Sequence, residues 1–183
     1  AATLLLFAAW VQGESVAGTP PVQAATPPAS SIASAHPLAT AAGFEVLDAG
    51  GNAFDAAVAV AAALAVVEPY GSGLGGGGFW LLHRASDGFQ VMLDGRERAP
   101  LAAHRDLYLD AEGRPDPELS LDGALAAGIP GTPAALAHLA RHYGRLPLAR
   151  SLAPAIRLAR AGFPVDAQYR RQAAQGARVL RPP

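Results

Sequence analysis

Arg96 is the charged side chain best placed to do chemistry in this sequence. It follows Phe89–Leu93, a short aromatic and aliphatic run that is typical of a buried strand. A planar guanidinium at a strand end can donate two parallel hydrogen bonds to a carboxylate, so the position favours binding of a carboxylate ligand. An ion pair with Asp94 or Glu97 that only stabilises the fold is an equally good interpretation. In both cases we expect Glu97 to orient Arg96, and we expect Arg98 to be exposed.

A glycine-rich turn, Glu68–Gly78, precedes the strand region. Its glycines permit positive φ or a close approach of the backbone to a ligand or to another backbone, which a plain connector would not need. The letters of Gly73–Gly78 match the dinucleotide fingerprint G-x-G-x-x-G, but that motif requires a strand before it and a helix after it. The order here is the reverse, which argues against a dinucleotide. A turn with a purely structural role remains an alternative.

Other residues that could carry chemistry lack the partners that they would need. Ser72 fails as a hydrolase nucleophile because Tyr70 stands where the nucleophile elbow requires glycine. His138 and His142 have the spacing of paired metal ligands, but Leu139 replaces the glutamate of a metalloprotease helix and no third ligand is near. We therefore predict a solvated helix face there and no metal site.

Composition narrows the possible functions. The 183 residues are 51% hydrophobic and 16% charged, which supports a packed core. The 14 basic and 15 acidic residues form no block of like charge, so nucleic acid and anionic membranes are not expected partners. Because the chain has no Lys and no Cys, a Schiff base, a complete Walker motif, a thiol nucleophile and a disulfide are excluded.

The amino-terminal region has the pattern of a targeting segment. Ala1–Val11 is apolar but shorter than the roughly 20 residues of a membrane-spanning helix. Small residues that suit a signal peptidase follow it, although the initiating Met and the usual basic residues are missing. We predict a truncated signal peptide over residues 1–24, a Pro/Ala-rich linker over 25–34 and a folded portion over 35–183. Export to the periplasm or the extracellular space is the corresponding expectation.

Two helices are predicted before the glycine turn. Pro37 suits the first position of a helix that Gly50 and Gly51 end. Asn52, with Asp55 three positions later, has the spacing of a capping box for a second helix. That helix, Ala53–Val67, is apolar on all sides, so we expect it to be buried on all sides and not to span a membrane.

A hairpin and further helices are predicted after the turn. The strands are Phe79–Leu82 and Phe89–Leu93, and the polar stretch His104–Asp122 should be an exposed excursion. Thr132 should cap the next helix with Pro133 as its first residue, and Pro154 should break or restart the helix after that. The three predicted helical stretches are Ala134–His142, Pro147–Arg160 and Asp166–Leu180.

Several motifs, taken together and in order, resemble the N-terminal part of the γ-glutamyltranspeptidase large subunit. The likeness covers roughly His36 to Val165, and several separate motifs in one order make it specific. The matching stretches are Ser34–Ala39, Gly50–Ala59, Glu68–Pro69 with Ser72–Phe79, Arg96–Pro100 and Gly128–Thr132, extended by Tyr143–Gly144, Pro154–Ala155 and Ala161–Phe163.

The resemblance implies an α+β fold, in which this chain is a helix-rich fragment with a β-hairpin from the αββα sandwich of an N-terminal-nucleophile hydrolase. Such proteins cleave themselves before a Thr, which then starts a small subunit and attacks the γ-glutamyl amide of glutathione and related compounds. The acyl group passes to water or to an amino acid or peptide. No cofactor is implied, and the partners would be γ-glutamyl compounds and the chain's own small subunit.

The resemblance also assigns residues. The Arg of the family's Arg-Glu-x-Ala-Pro motif holds the α-carboxylate of the γ-glutamyl group, and Arg96 occupies that position, with Glu97 supporting it. No catalytic residue is expected in this chain, because Thr40 and Thr132 match no nucleophile motif, so the chain alone should be inactive. A related glutaryl or cephalosporin acylase, and a non-catalytic module that binds a small carboxylate, remain alternatives.

Overall fold

The structure is a computed structural model that describes residues 30–177. Residues 32–183 belong to one unit, and the account below concerns the described part of that unit. The predicted signal peptide, residues 1–24, and the first half of the predicted linker, residues 25–29, lie outside the described residues, as does the carboxyl end of the last predicted helix.

The described residues form several helices and one antiparallel hairpin, which confirms the α+β class. None of the helices between residues 30 and 177 has the length and apolar character needed to span a membrane. The elements are α1 (Pro37–Asp48), α2 (Ala53–Val67), β1 (Gly78–Arg84), β2 (Phe89–Gly95), α3 (Glu118–Leu121), a 3₁₀ turn (Ala124–Ala126), α4 (Thr132–His142), α5 (Leu148–Ala161) and α6 (Ala167–Gly176).

The starts of α1 and α2 are fixed by the side chains that the sequence indicated. His36 Nδ1 accepts a hydrogen bond from the Leu38 N–H at 3.1 Å. Asn52 Oδ1 accepts from the N–H groups of Phe54 and Asp55 at 2.9 and 3.1 Å, and Asp55 Oδ2 accepts from the Asn52 N–H at 2.9 Å. Both ends of this capping box are therefore closed, as predicted.

Helix α2 is the centre of the described core. It packs against α1, α5 and α4. Small buried side chains at its contacts, such as Ala59, Ala62 and Ala63, let the helix backbones approach closely. The prediction that α2 is buried on all sides was wrong in degree. One flank, which includes Val60 and Leu64, is only half-buried, although both side chains pack against the core cluster that α1, α2 and α5 form.

The hairpin presents two different faces. Gly78 pairs with Gly95 and Leu82 with Val91, so alternate side chains point to opposite sides. The inner face packs on the cluster around Val58, Leu136 and Leu139 through Trp80, Leu82, Val91 and Leu93. On the outer face Phe79 is 56% exposed, Leu81 82% and Met92 62%. The sheet therefore buries one apolar side and leaves the other uncovered by residues 30–177.

Two predictions about helix boundaries were wrong. Pro154 does not interrupt α5, which runs from Leu148 to Ala161 with the proline buried inside it. Proline removes the hydrogen bond to the carbonyl of Arg150, but packing of α5 against α1 and α2 holds the helix continuous. Thr132 does not cap α4; it is the first residue of that helix and is itself buried, while Gly131 occupies the cap position.

Candidate functional site

The residues around Arg96 are held by a contact between three stretches of backbone, which we call the glycine junction: Gly76–Gly77, Gly95–Glu97 and Gly131. A Cβ atom on Gly131 would overlap the carbonyl oxygen of Gly95. One on Gly77 would lie 2.6 Å from that same oxygen, closer than real Cβ atoms approach. Side chains are excluded here, so the main chain sets the spacing.

Hydrogen bonds close the glycine junction. The carbonyl oxygen of Gly76 accepts from the N–H groups of Gly131 and Thr132 at 3.0 and 3.1 Å. These N–H groups belong to the start of α4, where no side chain supplies a cap. The glycine turn therefore caps α4 through its backbone and ties the turn, the end of β2 and α4 together.

The sequence predicted a special role for the glycine turn but offered two reasons for it. The close approach is confirmed at Gly77. The positive φ is not, since none of the turn glycines from Gly71 to Gly78 lies in the left-handed region. A Cβ on Gly75 would meet nothing within 4 Å, so contacts within the described residues do not require glycine at that position.

The backbone on both sides of Arg96 is fixed. Its N–H donates to Asp94 Oδ1 at 2.9 Å. Two residues further on, Arg98 and Ile129 form an antiparallel bridge, with N–H to O distances of 3.1 and 2.8 Å. The Arg96 side chain is 68% exposed, and its Nε donates to Glu97 Oε2 at 3.1 Å. Among residues 30–177 its two terminal amino groups have no hydrogen-bond partner, so they can still donate to a ligand.

Glu97 connects Arg96 to the glycine turn. A hydrogen bond from its own backbone N–H, followed by the charge of Arg96 and the Gly77 N–H, holds the pKa of the Glu97 carboxyl below its ordinary value. The carboxylate stays ionised as pH falls until that lowered pKa is reached, and its pairing with Arg96 persists over the same range. Of the acids considered from the sequence, Glu97 pairs with the guanidinium, whereas Asp94 contacts only the Arg96 backbone through the bond given above.

Two surface cavities flank the Arg96 segment. One, of about 330 Å³, lies between the end of β2 and α4 and reaches His138. The other, of about 360 Å³, lies under the excursion and reaches Tyr108. Arg96 and Arg98 line both cavities. Two arginines therefore border the same open spaces, and guanidinium groups are suited to carboxylate ligands.

A third cleft, of about 590 Å³, runs along the other side of Glu97. The glycine turn, Trp80 and Thr132 line it. Glu97 therefore has the glycine cleft on one side and Arg96 on the other. This arrangement places the guanidinium next to the cleft without placing it inside.

The remaining sequence candidates have ordinary roles. His138 and His142 are both exposed, with ring centroids 4.2 Å apart, as expected for a solvated helix face. The described residues contain no group of three or more His, Cys, Asp or Glu side chains that could hold a metal ion. Ser72 Oγ donates to Glu68 Oε2 at 3.1 Å and Thr40 Oγ1 lies 2.8 Å from Ser34 Oγ, so neither hydroxyl is hydrogen-bonded to a histidine.

The sequence interpretation missed a long-range role of Asp55. This carboxylate is fully buried, and besides its cap bond it accepts from the N–H groups of Arg145 and Leu146 at 2.8 and 3.3 Å. Asn52 Nδ2 adds a bond of 2.7 Å to the carbonyl of Tyr143. The signal was an acidic residue in an otherwise apolar helix, which was assigned to local capping alone.

Comparisons with known proteins support the family resemblance that the sequence motifs indicated. A family model described as Gamma-glutamyltranspeptidase matches residues 39–183. The glutathione hydrolase proenzyme of Escherichia coli is 47% identical over 135 residues, which are 74% of this chain and 23% of that protein. The chain thus spans about a quarter of the length of the curated relatives it matches.

Solved structures agree in fold. A γ-glutamyltranspeptidase from Pseudomonas nitroreducens, complexed with L-DON, superposes with a TM-score of 0.77 and 41% identity over 85% of this chain and 45% of that chain. A cephalosporin acylase from Bacillus halodurans gives 0.67 and 35% identity over 85% of this chain and 30% of its own. The helix-flanked hairpin is thereby part of an N-terminal-nucleophile hydrolase fold. The chain belongs to the γ-glutamyltranspeptidase family.

Proposed function

We propose that this chain is the leading portion of the large subunit of a γ-glutamyltransferase and glutathione hydrolase. In this proposal Arg96 binds the α-carboxylate of the γ-glutamyl group, and Glu97 holds the guanidinium in position. The attacking Thr comes from polypeptide that this chain does not include. The acyl-enzyme is then released to water or to an amino acid or peptide acceptor.

The position of Arg96 is the observation that carries the proposal. Its backbone is fixed on one side by β2 and the glycine junction and on the other by the bridge between Arg98 and Ile129. Its terminal amino groups have no partner among the described residues, while Nε is held by Glu97. A guanidinium that is oriented but not saturated can donate to both oxygens of a carboxylate.

The test is turnover of γ-glutamyl-4-nitroanilide by the complete protein that carries this chain. Arg96→Ala should raise KM about 10- to 100-fold with a smaller change in kcat, because it removes charge-assisted hydrogen bonds to the bound substrate. Arg84→Ala is the matched control. It also removes an exposed arginine that ends a strand and pairs with a neighbouring acid, but it lies at the opposite end of the hairpin. An Arg96→Ala enzyme with unaltered KM would refute the assignment.

A related acylase is the second candidate, because the Bacillus halodurans structure has a similar fold. Glutaryl-4-nitroanilide separates the two functions, since it keeps the acyl chain and its terminal carboxylate but lacks the α-amino group. A γ-glutamyl enzyme should release nitroaniline much faster from the γ-glutamyl compound. The reverse preference would establish the acylase.

The same proposal includes export and assembly. We propose that residues 1–24 direct export to the periplasm or beyond, that residues 25–34 are a linker, and that residues 35–183 pair with the protein's own small subunit after self-cleavage. Amino-terminal sequencing of the mature protein would locate the processing site.

The uncovered outer face of the hairpin supports a packing partner, because large exposed apolar side chains next to one another are uncommon on a free surface.

A further inference from the structure

Arg98 shares the environment of Arg96. The two residues are separated by one position, between the end of β2 and the bridge that joins Arg98 to Ile129. Both line the cavity that reaches His138 and the cavity that reaches Tyr108. Arg98 therefore borders the same two spaces as Arg96.

The backbone of Arg98 is held while its side chain is not. The bridge to Ile129 fixes its main chain by two hydrogen bonds. The side chain is exposed, and among residues 30–177 no carboxylate lies within ion-pair distance of its guanidinium. By contrast, the neighbouring Arg96 does form an ion pair, with Glu97. The side chain thus has all of its donors available in a cavity that already contains one carboxylate-binding group.

We propose that Arg98 is a second carboxylate-binding residue and that it makes the enzyme prefer γ-glutamyl donors whose leaving group carries its own carboxylate. The inference rests on the proposed function, because Arg96 must first hold the α-carboxylate of the donor. The substrate class is a γ-glutamyl amide with a second anionic group beyond the scissile bond, such as the carboxyl end of a γ-glutamyl peptide.

The experiment compares two chromogenic donors that differ by one carboxylate, γ-glutamyl-4-nitroanilide and γ-glutamyl-3-carboxy-4-nitroanilide, on the complete protein. Arg98→Gln should lower kcat/KM about five- to tenfold for the carboxylated donor and less than about twofold for the neutral one, because only the former loses a charge-assisted bond. Arg98→Lys should restore most of the preference, since it keeps the charge. Arg105→Gln, in the excursion and outside the lining of both cavities, should leave the ratio unchanged.

Each result decides a different point. Equal losses on both donors, or no loss on either, would overturn the role of Arg98 while leaving γ-glutamyl transfer intact. The ratio of kcat/KM for the two donors does not depend on how much of the Arg98 variant is folded, so an unchanged ratio overturns that role even where part of the protein misfolds. Failure of the wild-type protein to turn over either donor would instead overturn the proposed function, and the role of Arg98 with it.

Discussion

Asp55 shows how much structure a single buried carboxylate can organise. Its oxygens accept hydrogen bonds from the N–H groups of Asn52, Arg145 and Leu146, which belong to segments about 90 residues apart in the chain. A Cβ atom on Gly144 would overlap one of these oxygens, so the connection between α4 and α5 lies directly against the carboxylate. One side chain therefore fixes both the start of α2 and the course of that connection.

Asp55→Ala should destabilise the complete protein by about 3 kcal/mol or more, because three backbone donors lose their acceptor in a buried place. Thermal unfolding followed by circular dichroism measures the effect as a lowered Tm. The Tm of Asp55→Asn should fall between those of the unsubstituted and the Asp55→Ala proteins. The amide keeps one acceptor oxygen but brings a donor towards other donors.

The control for Asp55 is Asp48→Ala, which removes an exposed carboxylate at the end of α1. Its Tm should stay the same or rise slightly, because a negative charge at the carboxyl end of a helix is unfavourable. Equal Tm values for the Asp55→Ala and Asp48→Ala proteins would contradict a stabilising role for the hydrogen bonds that Asp55 accepts.

Among the elements, the hairpin and α4 depend on each other through the glycine junction. The end of β2 approaches the start of α4 so closely that Gly131 has no room for a Cβ atom. The cap of α4 also comes from the Gly76 carbonyl. Displacing any one of these backbone segments would move the others and Arg96 with them.

Gly131→Ala should therefore lower Tm and raise KM for γ-glutamyl-4-nitroanilide together, because the added methyl group pushes the Gly95–Arg96 backbone away. We expect a destabilisation of about 2–4 kcal/mol, in the range of strained or overpacked buried sites. The matched control is Gly176→Ala in α6, where a Cβ atom would meet nothing within 4 Å. If the Gly131→Ala and Gly176→Ala proteins had the same KM, the junction would not be what positions Arg96.

Elements set by local chemistry were predictable, and elements set by distant contacts were not. The starts of α1 and α2 followed from Pro37 and from the Asn52 and Asp55 pair, because these residues act within one helical turn. Continuity of α5 through Pro154 was missed because contacts with other helices outweigh the local cost of proline. Similarly, the packing role of Gly131 depends on Gly95, which is far away in sequence.

At the scale of the whole molecule, the described residues do not bury all of their apolar surface. The outer face of the hairpin exposes Phe79, Leu81 and Met92, and one flank of α2 is half-buried. The chain also matches about a quarter of its curated relatives. In the proposed αββα sandwich, strands from the rest of the polypeptide cover this outer face.

Leu81→Asp tests that packing. In the complete protein the substitution should reduce the yield of folded, self-cleaved enzyme severely, because a carboxylate would be buried between two sheets without a partner. Leu81→Met is the matched variant, because it keeps an apolar side chain of similar volume and should cost less than about 1.5 kcal/mol. The proportion of processed protein on a denaturing gel reports both. Normal processing of the Leu81→Asp protein would show that this face stays in water.

The sequence alone was enough to propose Arg96 and Glu97 as site residues, because they belong to a recognisable Arg-Glu-x-Ala-Pro motif. Their surroundings required the structure, because the cavities around them are walled by α4 and by the excursion, which approach only in the folded chain. That Arg98 lines the same two cavities as Arg96 was missed for the same reason.

A contact made from main-chain atoms alone has a consequence for how such an enzyme can be re-engineered. Because the glycine junction consists of backbone contacts, the location of residue 96 does not depend on the size of neighbouring side chains. Substitutions of the residues that line the cavities should therefore leave Arg96 in place. Libraries that vary Tyr108, His138 or Ala134 can reshape the space beside the guanidinium while the guanidinium itself stays in register. Altered donor selectivity is then within reach of a few substitutions that leave the fold untouched.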